Sequence, residues 1–116
     1  MATYSKALLS GSTNGKQINV VATGTATAAI IHTAVASTSS MDEVWLYAFS
    51  QSGATDVTIC WGGTNYPDDY MTSNIPMKAG RALLVDGKLI QNGLVVRAFT
   101  TAGTVQIDGY VNQIVP

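Results

Sequence analysis

The stretch from Met41 to Gln51, MDEVWLYAFSQ, is the densest run of strand-forming residues in the sequence. Apolar residues alternate between its two sides in an extended chain, with Val44, Leu46 and Ala48 on one side and Trp45, Tyr47 and Phe49 on the other. A strand with one face in water alternates apolar and polar residues, and this stretch does not. We therefore expect its second face to be covered, either by another part of the chain or by another subunit.

The composition favours one globular domain that works by packing against other proteins. The chain has 116 residues, which is enough for one domain with a sizeable core. Apolar residues make up 47% of it and charged residues only 11%, whereas charged residues are about 25% of an average protein. A weakly charged surface lowers the repulsion that keeps monomers apart.

Charge and cysteine content argue against several classes of partner and compartment. The net charge is −1, and the six lysines and arginines are scattered rather than clustered, so we expect no nucleic-acid partner. Ala22–Val35 is broken by Thr, Gly and His and is not expected to span a membrane. The N-terminus lacks the apolar core of a signal peptide. A single cysteine, Cys60, excludes an intrachain disulfide.

Short strands separated by turn residues account for most of the chain. The predicted strands are Gln17–Ala22, Ala29–Ala36, Met41–Gln51, Asp56–Trp61, Tyr70–Pro76, Arg81–Val85, Lys88–Gln91, Leu94–Thr100 and Thr104–Ile114. The predicted turns include Asp86-Gly87 as a two-residue hairpin loop, Asn92-Gly93, and residues 52–55, 77–80 and 101–103. About eight short strands without a helix predict an all-β fold, a single antiparallel β-sandwich of jelly-roll-like or immunoglobulin-like type. Sequence alone does not choose the strand order.

The first sixteen residues differ from the rest because they lack strand-like alternation. We expect residues 1–16 to form an extended N-terminal arm and residues 17–116 to form the β-sandwich domain. Tyr4, Leu8 and Leu9 provide a small apolar anchor with which such an arm could dock on a partner. The alternative is a frayed terminus.

No residue pattern in the sequence indicates catalysis or a cofactor. His32 is the single histidine, and its strand neighbours favour a hydrogen-bonded structural or interfacial role. Cys60 has neither a cation nor a helix N-terminus beside it and is expected to be a buried, inert thiol. Asp68-Asp69 lacks the spacing of a calcium loop and is expected to cap a turn or meet an arginine of another subunit. We therefore expect no enzyme activity, metal or cofactor.

Aromatic residues in and beside one loop leave a carbohydrate-binding function open. Tyr66 and Tyr70 flank a loop rich in Gly, Pro and Asp, and together with Trp61 they could stack against sugar rings. The alternative is that the tyrosines pack within the loop and the tryptophan packs in the core.

Four stretches together carry a resemblance to a known group of proteins. They are SGSTNGKQINV, IHTAVASTSSMDEVWLYAFSQS, ICWGGTNYPDD and IPMKAGRALLVDGKLIQNGLVVRAFTTAGTVQIDGYVNQI. From about Ser10 to Ile114 the chain resembles small β-sandwich virion structural proteins of tailed bacteriophages. The resemblance implies a capsid decoration (cement) protein on the surface of the virion, made in the host cytoplasm. It implies a homotrimer that binds the major capsid protein, and it transfers no catalytic residue.

Two other functions remain open at this stage, a head–tail connector or tail component, and a carbohydrate-binding module for host or surface attachment. The residues expected at an assembly interface are Tyr4, Leu8, Leu9, Trp45, Tyr47 and Phe49. The residues expected at a glycan contact are Tyr66 and Tyr70.

Overall fold

The structure of the chain is a computed structural model that describes residues 2–51, 53–76, 78, 80–101 and 104–116. Nine strands are described within these ranges: β1 Thr3–Leu8, β2 Ile18–Val20, β3 Ala29–Thr33, β4 Met41–Phe49, β5 Thr55–Trp61, β6 Tyr70–Ile75, β7 Ala82–Ile90, β8 Val95–Thr100 and β9 Val105–Val115. One 3₁₀ turn, Thr25–Thr27, precedes β3. Parts of three predicted turns (Ser52, Met77, Ala79 and 102–103) lie outside the described residues.

The strands form two antiparallel sheets, which confirms the β-sandwich. Sheet A has the order β1-β9-β4-β7, with the short β2 also paired to β9, and sheet B has the order β3-β8-β5-β6. Except for β1–β2 and the β5–β6 hairpin, every connection crosses from one sheet to the other. The strand orders of the two sheets, joined by these crossings, are those of a jelly roll. They exclude the immunoglobulin-like alternative.

The core lies between the inner faces of the two sheets. Its fully buried members are mostly β-branched, because Val and Ile pack well on a pleated surface. The buried apolar residues are Leu9, Val20, Ile31, Ala34, Val44, Leu46, Ala48, Val57, Ile59, Cys60, Ile75, Val85, Ile90, Val96, Ala98, Val105, Ile107 and Val111. Every strand except β1 contributes two or more residues to this core or its flanks. The short β2 contributes Val20 and the partly buried Ile18, and β6 contributes Ile75 and the partly buried Met71.

Strand β4 is the central strand of sheet A, with β9 on one side and β7 on the other. Its register with β9 runs unbroken from Met41 opposite Ile114 to Phe49 opposite Gln106. Gly109 of β9 has a φ of 153° and lies so close to β4 that an added Cβ would overlap the Trp45 carbonyl oxygen. A residue without a Cβ is required for this approach.

The predicted hairpin at Asp86-Gly87 is wrong, because both residues lie inside the continuous strand β7. Gly87 has a φ of 85°, and the register between β4 and β7 shifts there, with Val44 opposite Lys88 but Trp45 opposite Asp86. Glycine with positive φ serves equally in a hairpin turn and in a β-bulge. The local chemistry was therefore correctly recognised, but its place in the sheet was not. The predicted turn at Asn92-Gly93 is present, with both residues at positive φ.

The expected free N-terminal arm is not confirmed, because residues 3–8 form strand β1 at the edge of sheet A. β1 pairs antiparallel with β9, from Thr3 opposite Val115 to Leu8 opposite Tyr110. The chain then enters the core at Leu9, which is 2% exposed, and the Gly11 amide donates to the Ile31 carbonyl at 3.0 Å. The three residues predicted to form an apolar anchor therefore have different environments. Leu9 packs in the chain's own core, whereas Tyr4 and Leu8 remain exposed.

Candidate interaction surface

The two faces of β4 have different environments, which answers the question raised by its sequence. Val44, Leu46 and Ala48 are fully buried between the sheets. The opposite row, Trp45, Tyr47 and Phe49, lies on the outer face of sheet A and is half-buried. Side chains from the neighbouring strands of the same chain cover part of this outer row.

Trp45 belongs to a lateral stack that runs across the outer face of sheet A. Its ring stacks on that of Tyr110, its register partner on β9, with centroids 6.3 Å apart and planes at 15°. The Lys6 ammonium lies 5.0 Å from the Tyr110 centroid. On the other side of Trp45, the backbone of β7 is so close that a Cβ at Gly87 would lie 3.0 Å from the indole. Because strands β1 and β4 flank β9, the cation and the indole approach Tyr110 from opposite sides.

Tyr47 is covered in a second, separate arrangement. The guanidinium of Arg81 lies 4.1 Å from the centre of the Tyr47 ring. The same guanidinium donates two hydrogen bonds to Asp108 Oδ1, at 3.0 and 3.3 Å. Arg81 therefore spans the outer face from the start of β7 to β9, stacking on one residue and pairing with another.

Glu43 lies beside the stack and ties its members together. Its Oε1 accepts hydrogen bonds from Trp45 Nε1 at 2.9 Å and from Asn112 Nδ2 at 3.0 Å. These bonds, that from Asn112 first and then that from Trp45, lower the pKa of Glu43 below its ordinary value of 4.5. The ionised carboxylate therefore holds the indole in a fixed orientation.

Four of the nine large apolar side chains that are exposed among the described residues lie on the two edge strands of sheet A. Tyr4 and Leu8 of β1 are 69% and 56% exposed, and Leu83 and Leu89 of β7 are 52% and 50% exposed. All four face outward, because their register partners on β9 and β4 are Ile114, Tyr110, Tyr47 and Glu43. We call the outer face of sheet A, with these four residues and the half-buried aromatic row, the sheet A surface. Several large apolar side chains exposed on one face of a sheet are typical of interaction sites in soluble proteins.

The two tyrosines expected at a glycan contact lie together on the other side of the molecule. Tyr66 and Tyr70 meet edge to face with centroids 5.3 Å apart, and Tyr70 meets Phe99 in the same way at 5.5 Å. Tyr66 is 79% exposed, whereas Tyr70 and Phe99 are half-buried. Trp61 does not join them, since it packs against the core and has the Lys88 ammonium 5.5 Å from its ring centre.

The acidic pair beside Tyr66 includes a residue that closes its own loop. Asp69 Oδ2 accepts the Asn65 amide at 3.0 Å, and the Asp69 amide donates to the Asn65 carbonyl at 2.9 Å. This is the turn-capping role that the sequence suggested for the pair. In the part of the chain that the structure describes, no three residues among His, Cys, Asp and Glu come together in a group that could hold a metal ion.

His32 is buried and hydrogen-bonded on both ring nitrogens. Its Nδ1 accepts the Ser10 amide at 3.1 Å, so Nε2 carries a proton and faces Asp42 Oδ2 at 2.7 Å. The register shift between Ile30 and His32 in β3 turns both Ile31 and His32 inward. Asp42 is 1% exposed and also accepts the Val35 amide at 3.2 Å.

Ser10, His32 and Asp42 have the residue types of a catalytic triad but not its geometry. In a triad the ring nitrogen opposite the carboxylate faces the serine hydroxyl, whereas here that nitrogen accepts the backbone amide of Ser10. The Ser10 hydroxyl oxygen instead accepts the Thr33 amide at 2.7 Å. The three residues therefore fasten the start of the β1–β2 loop to β3 and β4. Sequence reasoning identified a structural histidine but did not identify its partner Asp42.

Cys60 is buried on β5, as expected from its strand context. Burial raises the pKa of its thiol, an effect that outweighs the opposing influence of Arg97. The one helical turn among the described residues, Thr25–Thr27, is too short to cross a membrane.

Sequence reasoning missed several members of the sheet A surface. Leu83 and Leu89 were hidden because the strand that holds them was divided at Asp86-Gly87. The contact of Tyr110 with Trp45 depends on β9 lying beside β4. Alternation within a strand predicts which residues share a face, but not which strands are neighbours.

Comparison of the chain with protein families, with curated proteins and with solved structures found no match.

Proposed function

We propose that this chain is a virion structural protein, and specifically a capsid decoration protein that binds across capsid subunits as a homotrimer. The observation that supports this most is the sheet A surface. It places four exposed apolar residues at the two edges of one sheet, with a preorganised aromatic row between them. Such a surface adds contact area to an assembly without any chemical step.

The aromatic row is suited to protein contact because its side chains are already held in place. Lys6, Glu43 and Arg81 restrain Tyr110, Trp45 and Tyr47 through the contacts described above. Rigid aromatic side chains lose little conformational freedom on binding, which leaves more of the contact energy as affinity. Because Trp45 and Lys6 both lie against Tyr110, this ring is less open to a stacked sugar than the exposed Tyr66.

The test uses particles of a phage whose genome encodes this chain. Quantitative mass spectrometry gives the copy number per particle, and heads that lack the chain are compared with heads to which purified protein has been added back. We expect hundreds of copies, reversible binding, and release of DNA at a lower temperature from the undecorated heads. Six, twelve or a few dozen copies would instead support a head–tail connector or tail component. Absence from the particle would refute a virion role.

A second candidate function, glycan binding, is favoured by one observation, the exposure of Tyr66 beside Tyr70 and Phe99. A sugar ring could stack on Tyr66 while the loop backbone supplies hydrogen bonds. Binding of the isolated protein to a glycan array tests this directly. The matched pair of variants is Tyr66→Ala and Tyr4→Ala, since both remove an exposed tyrosine, one from each side of the sandwich. A wild-type protein that binds no glycan would contradict this function, and binding that survives Tyr66→Ala would show that Tyr66 is not the contact.

A further inference from the structure

We propose that copies of this chain join edge to edge, with strand β1 of one copy beside strand β7 of the next, and that this contact closes a ring. The inference deepens the proposed function and rests on its homo-oligomer, for which it names the contacting strands and residues. Among the described residues, β1 pairs only with β9 and β7 pairs only with β4, so the outer edges of both strands are uncovered.

The strand directions permit this contact. Each neighbouring pair in the order β1-β9-β4-β7 is antiparallel, so three reversals make β1 antiparallel to β7. When successive copies are related by rotation about an axis along the strands, β1 of the next copy lies antiparallel to β7 of the first. An uncovered edge is prone to pair with another chain, and antiparallel pairing is the more favourable kind.

The side chains at the two edges are complementary. The two exposed apolar residues of β1, Tyr4 and Leu8, would adjoin Leu83 and Leu89 of β7 in the next copy. Between them, β1 carries Lys6 and β7 carries Asp86, which have opposite charges. In the part of the chain that the structure describes, neither Lys6 nor Asp86 forms an ion pair. Opposite charges at matching positions of an interface fix its register.

The contact is heterologous, because it joins two different edges. Such contacts either continue indefinitely or close into a ring, and a closed ring leaves neither the β1 edge nor the β7 edge uncovered. The β-bulge at Gly87 and the register shift at Leu84 interrupt regular backbone pairing along β7. Recognition therefore rests on the leucines and on the Lys6–Asp86 pair rather than on a long backbone ladder.

A charge exchange tests the proposal. Lys6→Glu and Asp86→Lys each place like charges opposite one another, and the double variant restores an opposite pair with its direction reversed. Sedimentation velocity of the full chain at micromolar concentration measures the outcome. We expect a closed trimer for the wild type, self-association about tenfold or more weaker for each single variant, and recovery in the double variant.

Two control variants carry the same charge changes away from both edges. Lys16→Glu lies in the β1–β2 loop and Asp68→Lys in the β5–β6 loop, and both positions are exposed. We expect both controls to assemble like the wild type. Circular dichroism melts check that each variant is folded. If Lys6→Glu or Asp86→Lys does not fold, the neutral variant Lys6→Gln or Asp86→Asn replaces it.

Three results would overturn the proposal: a wild-type monomer, a double variant that stays dissociated, or controls that dissociate as much as the edge variants. Failure here is distinct from failure of the proposed function. A monomer that still decorates heads in hundreds of copies refutes the ring alone. If the single variants dissociate and the double variant assembles again, but the protein is absent from particles, the virion role alone is refuted.

Discussion

Replacing Leu9 by alanine tests whether the N-terminal segment is part of the folded sandwich. Leu9 is 2% exposed and belongs to the core cluster, whereas the preceding Leu8 is 56% exposed. Truncating a buried leucine costs about 2–5 kcal/mol, the sum of lost transfer energy and the cavity left behind. We expect about 2–3 kcal/mol, since Leu9 lies just beyond the end of an edge strand where its neighbours can relax. That is a large part of the roughly 5–15 kcal/mol that stabilises a domain.

Urea unfolding followed by tryptophan fluorescence measures this cost. With a slope of about 1–3 kcal/mol per molar urea, the expected loss lowers the midpoint by about 1–2 M. Leu8→Ala is the matched control, because it makes the same change one residue earlier on an exposed side chain. We expect that control to stay within about 0.5 kcal/mol of the wild type.

Equal and small effects of the two variants would refute the reasoning. That result would mean that Leu9 is not part of the core and that residues 1–16 form the free arm expected from sequence. A large effect of Leu9→Ala alone would also mean that a truncation designed to remove a docking arm must leave Leu9 in place. Removing residues 1–9 would then destabilise the sandwich itself, so a loss of partner binding in that truncation would not identify a docking arm.

Three further predictions concern buried or bonded polar groups. Asp42→Ala leaves His32 Nε2–H and the Val35 amide without an acceptor, and we expect each orphaned donor to cost about 1–3 kcal/mol in urea unfolding; a midpoint unchanged from the wild type would contradict the pairing. The pKa of Glu43 is lowered in the folded chain, so its contribution to stability is present above pH 4.5 and is lost as the pH falls through the lower folded value. Urea midpoints across the acidic range should therefore fall less steeply for Glu43→Gln, and identical profiles would argue against the bonds from Asn112 and Trp45. Since Cys60 is buried and its thiol pKa is raised, an aromatic disulfide reagent should label it only as the chain unfolds, and rapid labelling of the native protein would show that β5 is accessible.

Much of the fold was predictable because strand periodicity is a local property. The predicted strand Thr104–Ile114 appears in the structure as β9, with Val105, Ile107 and Val111 buried on one face. The predicted strand Asp56–Trp61 appears as β5, but both of its faces are buried from Val57 to Cys60. The apolar character of β4 on both faces correctly marked it as a strand whose second face needs cover. Periodicity of this kind depends only on side chains pointing alternately to opposite sides of an extended backbone.

Features that depend on strand neighbours were not predictable in the same way. Positive φ at Gly87 suits a hairpin or a bulge, and only the pairing of β7 with β4 decides between them. The β1 segment was expected to be an arm because TYSKAL has no regular apolar alternation. It is nevertheless a strand, because β9 is longer than β2 and offers an unpaired edge to which the N-terminal residues add.

The candidate site shows the same division at the level of single residues. The sequence predicted that Trp45, Tyr47 and Phe49 share one side of a strand and that Tyr66 and Tyr70 flank one loop. The partners that organise the outward row (Lys6, Arg81, Asp108 and Tyr110) come from three other parts of the sequence. Leu9 was misplaced at an interface because burial depends on what packs above a residue, which one strand cannot reveal.

By itself, the sequence determined that the chain forms an antiparallel sandwich of short strands and that β4 is apolar on both faces, since propensity and alternation are written into neighbouring residues. The tertiary structure decided that β4 lies at the centre of sheet A in a jelly roll and that its inner row enters the core. It also decided that Arg81, at the start of β7, covers Tyr47 of the outer row, and that Trp45 stacks on Tyr110, over which Lys6 of β1 lies. These outcomes depend on which distant strands lie side by side, and that choice is made by the packing of the whole core rather than by any single stretch.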